Sequence, residues 1–414
     1  MKILKYQLNK IINYHSKKNS NNFFKYSLLD DAFSNEDLIK GIEVLIKKKI
    51  TMGEITEEFE FEFAKFLNVK HALMVNSGSS ANLLAAFALI NPKKKNRLHY
   101  GDEFIIQSLC WSTSLWPLVQ AGLKPKFIDI DIKNLNINAN HFEKNITKKV
   151  KAAMIVHVLG NCGNILKILN IAKKMGVSII EDTCESLGSK YNNKYLGTFG
   201  DFGTYSFYYS HQITSGEGGM IVCKSQADYK IIKSLRSHGW DRGLTKNKEN
   251  LRSFNFINSG FNLRPLDITA AIGLNQFKRL NKFKQIRNEN KNKIIENLKN
   301  SALWEDQFDF FDQSEELKPS WFGLPMLINK KYQKKKNLFL KYLNSQKIET
   351  RPIISGNFLN QPSIKLYGFN KIKTKFHHAQ DVEERGFFIG LHTKRIANAD
   401  LHILTRHLLK ISVI

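Results

Sequence analysis

Seven short apolar runs, separated by segments with helical periodicity, constrain the fold of this chain more than any other feature. Strands that alternate with helices form a mostly parallel sheet with helices on both faces. The last two runs are close together in sequence, and we expect one antiparallel neighbour there. The sequence therefore predicts an α/β fold. The runs span residues 71–77, 103–109, 124–131, 152–159, 177–183, 204–209 and 218–224.

The chain is long enough for one large domain and a smaller one, with 414 residues of which 42% are hydrophobic. Its character changes near residue 300, where the acidic and aromatic stretch WEDQFDFFDQSEE begins. We predict a helical N-terminal segment over 1–50, a large domain over 51–299 and a small α+β domain over 300–414. Ligands of such sheets bind at the carboxyl ends of the strands, so we expect the functional site there.

The net charge of +26 does not identify a partner by itself. Such a charge is typical of proteins that bind nucleic acid or membrane surfaces. Here the lysines are scattered among asparagines and isoleucines, as in NPKKKN and KNLNINANHFEKN. We interpret them as a compositional bias and expect no nucleic-acid partner, although the positive potential would add a modest, salt-dependent attraction for an anionic substrate.

Cysteine spacing and hydropathy argue against several classes of protein. Cys110, Cys162, Cys184 and Cys223 are far apart, which disfavours a disulfide framework or a zinc site. The N-terminal residues lack the apolar core of a signal peptide, and no apolar run reaches the roughly 20 residues that span a membrane. We expect a soluble, cytoplasmic protein with no metal and no membrane partner.

Small residues between a strand and a helical pattern predict a phosphate site in VNSGSSANLL (75–84). Ser77, Gly78, Ser79 and Ser80 would offer backbone N–H groups and hydroxyls to a phosphate. Ser and Gly also cap helices where no ligand binds, so this pattern alone leaves both interpretations open.

The run IIEDTCES places Asp182 at the carboxyl end of an otherwise apolar strand. An unpaired buried carboxylate is costly, so a ligand with a positively charged or hydrogen-bond-donating group would be a suitable partner. The alternative is that Asp182 is an ordinary N-cap of the next helix.

The stretch SFYYSHQITSGEGG (206–219) contains His211 and no lysine. An imidazole titrates near neutrality and can take or give a proton, but it cannot hold an aldehyde as an imine. We predict that His211 is a catalytic base. The alternative is a histidine packed in a turn between a strand and a loop.

This stretch resembles the signature S-F-x-x-x-K-x-(I/L)-T-x-G-E-G-G of DegT/StrS-type nucleotide-sugar aminotransferases, which use pyridoxal 5'-phosphate (PLP). Residues 77–81 and 181–188 also resemble that family's S-G-(S/T)-x-A and E-D-x-x-x-x-x-G patterns. The resemblance implies a fold-type-I PLP enzyme with a smaller α+β C-terminal domain, on which the N-terminal segment packs. His211 stands where the signature has the lysine that binds the cofactor. The branch of the family with histidine there consists of sugar 3-dehydratases.

The resemblance implies further cofactor contacts. Trp111 would stack on the pyridine ring, although a tryptophan in the core is the competing interpretation. Glu185 would lie near the ring hydroxyl, where the aminotransferases usually have glutamine. Ser206 would contact the phosphate.

The segments RSHGWDRG (236–243) and SGFNLRPLD (259–267) resemble those with which family members reach the active site of an adjacent subunit. A homodimer with shared active sites is therefore implied, in which Asn262 contacts the neighbour's cofactor phosphate. The remaining implied contacts, to the substrate or to anions, are Thr51, His238, Arg242, Phe254, Glu349 and Arg351.

The histidine-bearing branch implies a 3-dehydratase that uses PLP and pyridoxamine 5'-phosphate (PMP), with L-glutamate as the amino donor. The implied substrate is a nucleotide-linked 4-keto-6-deoxyhexose, with GDP-4-keto-6-deoxy-D-mannose favoured. The product would enter 3,6-dideoxysugar synthesis for lipopolysaccharide O-antigen. In this scheme His211 moves protons and Asp182 holds the ring.

Three alternatives remain at this point. An aminotransferase could take its lysine from elsewhere, such as Lys190 or Lys194. A CDP-sugar 3-dehydrase that works with a reductase would need clustered cysteines for iron and sulfur, and LTKNKENLRSFNF, where that branch inserts its cysteines, contains none. The third alternative is a basic binding protein built on an inactive fold of this type.

Overall fold

A seven-stranded sheet forms the centre of the chain, and the computed structural model places every predicted strand in it. The strand order is β1-β9-β8-β5-β4-β2-β3. Strand β9 is antiparallel to both of its neighbours, and the other pairs are parallel. The predicted mostly parallel sheet with one antiparallel member is confirmed. The first nine strands are β1 His71–Val75, β2 Glu103–Gln107, β3 Lys124–Ile128, β4 Val150–Val156, β5 Ser178–Asp182, β6 Lys190–Tyr191, β7 Lys194–Tyr195, β8 Phe202–Ser206 and β9 Gly219–Cys223.

The structure describes residues 2–18, 25–29, 33–241, 254–311, 313–369 and 375–414. No helix in these ranges is both long enough and apolar enough to cross a membrane. The α-helices are α1 Lys2–Lys18, α2 Asn35–Lys47, α3 Glu54–Leu67, α4 Gly78–Leu89, α5 Ser112–Gln120, α6 Ala139–Asn145, α7 Ile165–Met175, α8 Gln226–Arg236, α9 Asp267–Phe277, α10 Leu280–Lys299, α11 Lys336–Ser345, α12 Pro362–Leu366, α13 His377–Arg385 and α14 Asn398–Leu408.

Helix α7 shows how local sequence sets the layers. The side chain of Asn164 accepts a hydrogen bond at its N-terminus, and Gly176 ends it in the left-handed conformation with a φ of 65°. Ile165, Ile168 and Ala172 recur at helical spacing and are buried. This apolar stripe faces the sheet, as amphipathic helices do.

Apolar side chains from helices cover both faces of the large sheet. On one face, residues of α4, α5 and α8 pack with β2 and β9, for example Leu84, Leu115 and Ile231. The opposite face is covered by residues of α3, α6 and α7. The α/β fold with helices on both faces is confirmed.

A second, four-stranded antiparallel sheet lies in the C-terminal part, in the order β10-β12-β14-β13. Helices α10, α11 and α14 pack on it through residues such as Leu298, Phe339 and Leu404. The remaining strands are β10 Phe308–Asp309, β11 Leu317–Lys318, β12 Gly323–Ile328, β13 Thr350–Arg351 and β14 Gly386–Gly390, with β11 joining β6 and β7 in a small third sheet.

The N-terminal segment contacts both parts of the chain. Helix α2 packs against α9, and Tyr26 forms a bridge with Ile348 and donates from its hydroxyl to the carbonyl of Gly390. The division of the chain at residues 50 and 299 stays a prediction.

Candidate active site

A cavity of about 480 Å³ opens at the carboxyl ends of β1, β4, β5 and β8. This is the edge of the sheet where ligands bind in open α/β folds. Its walls combine residues from distant parts of the chain. Those predicted from sequence that line it are Ser77, Gly78, Ser79, Trp111, Asp182, Glu185, Ser206, His211 and Arg351.

One end of the cavity is the N-terminus of α4. Ser77 is the N-cap, and its Oγ accepts from the N–H of Ser80 at 3.1 Å. The N–H groups of Gly78 and Ser79 have no partner among the described residues. Free N–H groups at the positive end of a helix favour an anion such as a phosphate. Ser80 itself is buried and bonded to Ser77 through its hydroxyl as well.

Gly78 permits a close approach of α4 to the end of β8. A Cβ atom at this position would lie 2.6 Å from the Cβ of Ser206 and 2.9 Å from the Sγ of Cys184. A larger residue would therefore push the N-terminus of α4 away from Ser206. Ser206 is the last residue of β8 and precedes the loop that carries His211.

Asp182 stands at the end of β5, 6% exposed, with three donors around it. Oδ2 accepts from Asn82 Nδ2 at 2.8 Å and from Ser114 Oγ at 2.7 Å, while Oδ1 accepts from the N–H of Cys184 at 3.2 Å. These bonds fix the carboxylate and leave it facing the cavity. A fixed carboxylate there is suited to hold a protonated ring nitrogen.

Glu185 has a strongly perturbed carboxyl group. Burial raises its pKa to about 7, against the opposing effect of a hydrogen bond from the N–H of Leu159 at 3.1 Å. The negative charge of Asp182 raises it further. Near neutral pH Glu185 can therefore either donate or accept a proton inside the cavity.

His211 lies in the loop between β8 and β9, with its ring packed edge-on against Tyr208 and Phe322. Burial and the neighbouring Arg287 guanidinium lower the pKa of His211 to about 3. Its Nδ1 is buried without a hydrogen-bond partner among the described residues. Near neutral pH His211 is therefore an uncharged imidazole with a nitrogen that is unpartnered within the described part of the chain.

No lysine lines this cavity among the described residues. Lys190 and Lys194, considered as substitutes, lie in the β6–β7 hairpin instead. Their ammonium groups sit over the rings of Tyr195 and Phe199, at 4.2 and 4.6 Å from the ring centroids. The structure therefore places neither near the cavity.

Arg351 and Glu349 form a pair at the rim. Arg351 Nη2 lies 2.7 Å from Glu349 Oε1, and Arg351 lines the cavity while more than half exposed. Glu349 Oε2 also accepts from the N–H of Leu28, another lining residue, at 2.9 Å. The carboxylate of Glu349 thus orients Arg351 and the N-terminal segment.

A second cavity of about 870 Å³ contains Thr51 and Asn262 beside α3, α8 and the edge strand β1. Phe254 is 72% exposed and packs beside Trp240, which lines this second cavity. His238 is exposed, with a left-handed φ of 60°. Within one subunit these residues do not join the first cavity. Arg242 lies outside the described residues.

A buried network next to the cavity was missed by the sequence reasoning. The carboxylate of Glu181 accepts backbone N–H groups of Gly197, Phe199 and Gly200 at 2.7 to 2.8 Å and lies 2.9 Å from Nε2 of His157. Burial alone would raise the pKa of Glu181, but these bonds hold it below its usual value. The sequence signal for this network was Glu181, a second carboxylate beside Asp182 in an otherwise apolar strand, since a buried carboxylate needs hydrogen-bond partners.

Tyr208, Ser210 and Glu217 lie within the stretch SFYYSHQITSGEGG, and Cys184 lies within IIEDTCES, so their place in these motifs was a signal that the sequence reasoning did not use. These four belong to a larger set of lining residues that it missed. That set consists of Leu28, Thr113, Ser114, Val156, Cys184, Tyr208, Ser210, Glu217, Phe322, Pro352, Ile354 and Phe388. Among the described residues, no group of three or more His, Cys, Asp or Glu side chains is placed to hold a metal ion.

The chain is similar to proteins of known activity over most of its length. The model of the DegT/DnrJ/EryC1/StrS aminotransferase family matches residues 33–404. GDP-4-keto-6-deoxy-D-mannose 3-dehydratase of Escherichia coli O55:H7 is 38% identical over 358 residues, which are 84% of this chain and 90% of that protein. The lipopolysaccharide biosynthesis protein RfbH of Salmonella typhimurium is 34% identical over 369 residues, 85% of this chain and 84% of that one.

A solved structure shares this fold closely. It is a GDP-4-keto-6-deoxymannose-3-dehydratase with a trapped PLP-glutamate geminal diamine, and it is 36% identical with a TM-score of 0.86. The likeness covers 93% of this chain and 100% of that one. This chain thus shares its architecture with a protein whose structure contains an adduct of PLP and glutamate.

Proposed function

Since the chain belongs to the DegT/DnrJ/EryC1/StrS aminotransferase family, we propose that it is a 3-dehydratase that uses PLP and PMP. Its substrate is a nucleotide-linked 4-keto-6-deoxyhexose, with GDP-4-keto-6-deoxy-D-mannose as the specific sugar, and its amino donor is L-glutamate. The match to RfbH supports a place in lipopolysaccharide synthesis.

The observation that carries this proposal is a cofactor cavity with histidine where a lysine would otherwise stand. His211 lines the cavity, and no lysine does so among the described residues. Without an amine on the protein the cofactor has no covalent tether. An imidazole held in its neutral form favours proton removal and elimination over ordinary amino transfer.

The residues of the cavity fit the cofactor. The free N–H groups at the start of α4 suit its phosphate, and Asp182 suits its pyridine nitrogen. Trp111 is 56% exposed on the cavity wall and offers a flat apolar face, so the competing placement in the core does not apply.

Each side chain then has a separate task. When bound, PMP supplies an amine that condenses with the C4 ketone and a ring that accepts electrons. Asp182 keeps a proton on the ring nitrogen. With PMP bound, His211 would take a proton at the C4' position and pass it to the departing C3 hydroxyl. Glu185 holds or releases the proton near the ring hydroxyl, as its pKa of about 7 permits.

The dimer is part of this proposal. Thr51 and Asn262 lie at a second cavity that the first does not reach within one subunit. In a homodimer these residues can approach the cofactor of the partner subunit. A two-fold axis can place the second cavity of each subunit against the first cavity of its partner, which gives both cavities a role. Arg351, exposed at the rim, is assigned to the anionic part of the substrate.

Product analysis tests the proposal. Purified protein is incubated with PLP, L-glutamate and GDP-4-keto-6-deoxy-D-mannose, and the sugar nucleotide is followed by mass spectrometry. We expect loss of the C3 oxygen together with 2-oxoglutarate and ammonia. A stable amino sugar would show an aminotransferase instead, and tight binding of PLP with no turnover would reject this substrate.

A further inference from the structure

Arg287 joins the loop that carries His211 to two other parts of the chain. It lies in α10 and is 2% exposed. Its guanidinium donates to the carbonyl of His211 at 3.4 Å and to the carbonyl of Gln212 at 3.2 Å. Through Nε it donates to the carbonyl of Leu391, just after β14, at 3.0 Å. One side chain therefore connects the loop, the helix and the C-terminal sheet.

Gln212 fixes the same peptide segment from the other direction. It is 1% exposed, and its side-chain amide donates to the carbonyls of Glu185 and Ser320. Arg287 thus holds the carbonyl groups of residues 211 and 212, while the segment after β5 and the segment before β12 hold the side chain of Gln212. The direction of the His211 Cα–Cβ bond follows from this backbone, so these contacts aim the imidazole.

The support behind Arg287 is itself rigid. Asn290, on the same side of α10, donates to the carbonyls of His392 and Lys394 at 3.1 and 2.8 Å. Its Oδ1 accepts from the N–H of Ile396 at 3.0 Å. Helix α10 and residues 391–396 consequently form one bonded unit from which Arg287 reaches the loop.

The charge of Arg287 acts on His211 as well. A guanidinium beside an imidazole opposes a second positive charge, and Arg287 is the charged group that, after burial, lowers the pKa of His211. Acidic and basic groups from the surrounding elements also line the cavity around His211, so Arg287 alone does not set the pKa of the imidazole. The other titratable groups that line the cavity are His157, Asp182, Cys184, Glu185, Tyr208, Glu217 and Arg351.

We propose that Arg287 is a positioning residue for His211: it holds the carbonyl groups of residues 211 and 212 so that the imidazole faces the cavity. The inference rests on the proposed dehydratase function. Proton transfer is steep in distance and angle, and a displacement of about 1 Å can cost about 100-fold in rate.

Arg287→Met and Arg287→Lys test this role. Methionine removes the charge and all donors, whereas lysine keeps the charge without the planar set of N–H groups. Lys291→Met is the matched control, because Lys291 is one turn further along α10 and its ammonium lies over the ring of Trp321, with no hydrogen bond to residues 207–218 among the described residues. Folding is checked by circular dichroism, and PLP binding by absorbance.

Two readouts separate positioning from stability. The first is the single-turnover formation of 2-oxoglutarate from L-glutamate and bound PLP, which we expect to fall about 100-fold in Arg287→Met and less in Arg287→Lys. The second is the titration of His211 in cofactor-free protein, followed by NMR of labelled histidine and assigned with His211→Asn. We expect its pKa to rise by about one unit in Arg287→Met and to stay near the parent value in Arg287→Lys.

Several outcomes decide the matter. A folded Arg287→Met protein with parental His211 titration and a rate within about threefold of the parent would overturn the proposal. If Arg287→Met does not fold, Arg287→Lys decides, because a slowed rate with an unchanged His211 titration supports positioning and a parental rate rejects it. If the parent protein performs no dehydration, the proposed function fails, but the rate of 2-oxoglutarate formation from bound PLP and L-glutamate still tests whether Arg287 positions His211.

Discussion

At the scale of single residues, His211 and Glu185 line the same cavity, and their environments shift their pKa values in opposite directions. Burial lowers the pKa of the imidazole to about 3 and raises that of the carboxyl group to about 7. Between these values the histidine is neutral and the glutamic acid keeps its proton. Opposite shifts in one cavity are the usual means by which a protein supplies a base and an acid at the same pH.

His211→Lys tests the meaning of the missing lysine. A lysine amine at this position can form an imine with the PLP aldehyde, so we expect a new visible absorbance band and a covalent adduct after borohydride reduction. Dehydration should fall at least about 100-fold, since the neutral base is gone. Full retention of dehydratase activity would contradict the assignment, and His211→Asn serves as the control that loses the base without gaining an amine.

Glu185→Gln tests the raised pKa through stability. A carboxyl group with a raised pKa in the folded state favours folding below its unfolded pKa near 4.5, and this contribution is lost as pH rises through about 7. The cofactor-free variant should therefore be the more stable protein at pH 8, by up to about 3 kcal/mol, and the difference should shrink towards pH 5. Urea denaturation at both pH values measures the difference in unfolding free energy between the variant and the parent. If this difference does not change with pH, the raised pKa of Glu185 is refuted.

At the scale of elements, one carboxylate joins α2 to α9. Asp37 closes the capping box at the start of α2 with Ser34, and it also accepts from Asn275 at 2.6 Å, Gln276 at 2.8 Å and Arg279. Asp37 is fully buried. Because all of these donors would lose their acceptor together, the hydrogen bonds between α2 and the end of α9 depend on a single side chain.

Asp37→Ala should accordingly destabilise the protein by about 3 kcal/mol, because it removes the acceptor that the partly buried Arg279, the half-buried Asn275 and the buried Gln276 share. The matched control is Glu36→Ala in the same turn of α2. The ion pair of Glu36 with Lys5 is exposed, and its loss should cost less than about 1 kcal/mol. Denaturation midpoints in urea distinguish the two, and equal losses would argue against a special role for Asp37.

At the scale of the whole molecule, the predicted site residues divide between two surfaces of one chain. His211 and Asp182 lie at the cavity beside the strand ends, whereas Thr51 and Asn262 lie at the larger cavity by the sheet edge. The proposed homodimer brings one surface of each kind together. Activity should then depend on residues from two subunits.

Mixing two inactive variants tests this dependence. His211→Asn disables the first surface and Asn262→Ala weakens the second, so each variant alone should have low activity. After unfolding and refolding together, half of the dimers are mixed and carry one intact site, which should restore about a quarter of the parental activity. No recovery beyond the sum of the separate variants, with dimers present by sedimentation, would exclude shared sites.

The sequence by itself determined the layers of the sheet and the chemistry of its edge. Buried strands are apolar runs and helices have helical spacing, so seven strands and their α/β arrangement could be predicted from local pattern. Local sequence also indicated three features of the site, because each lies within a short segment that resembles a family motif. They are the phosphate site at Ser77 to Ser79, the carboxylate of Asp182 and the histidine at position 211.

Only the tertiary structure decided the environments and the distant partners. The pKa values of Glu185 and His211 depend on burial and on charges from other elements, which no local pattern reveals. The contact of Arg287 with the His211 loop could not be predicted either, because the two residues are 76 positions apart and nothing in the local sequence of α10 distinguishes Arg287 from its other charged residues. Hydrogen bonds and desolvation act through space, so their effects become visible only when the chain is folded.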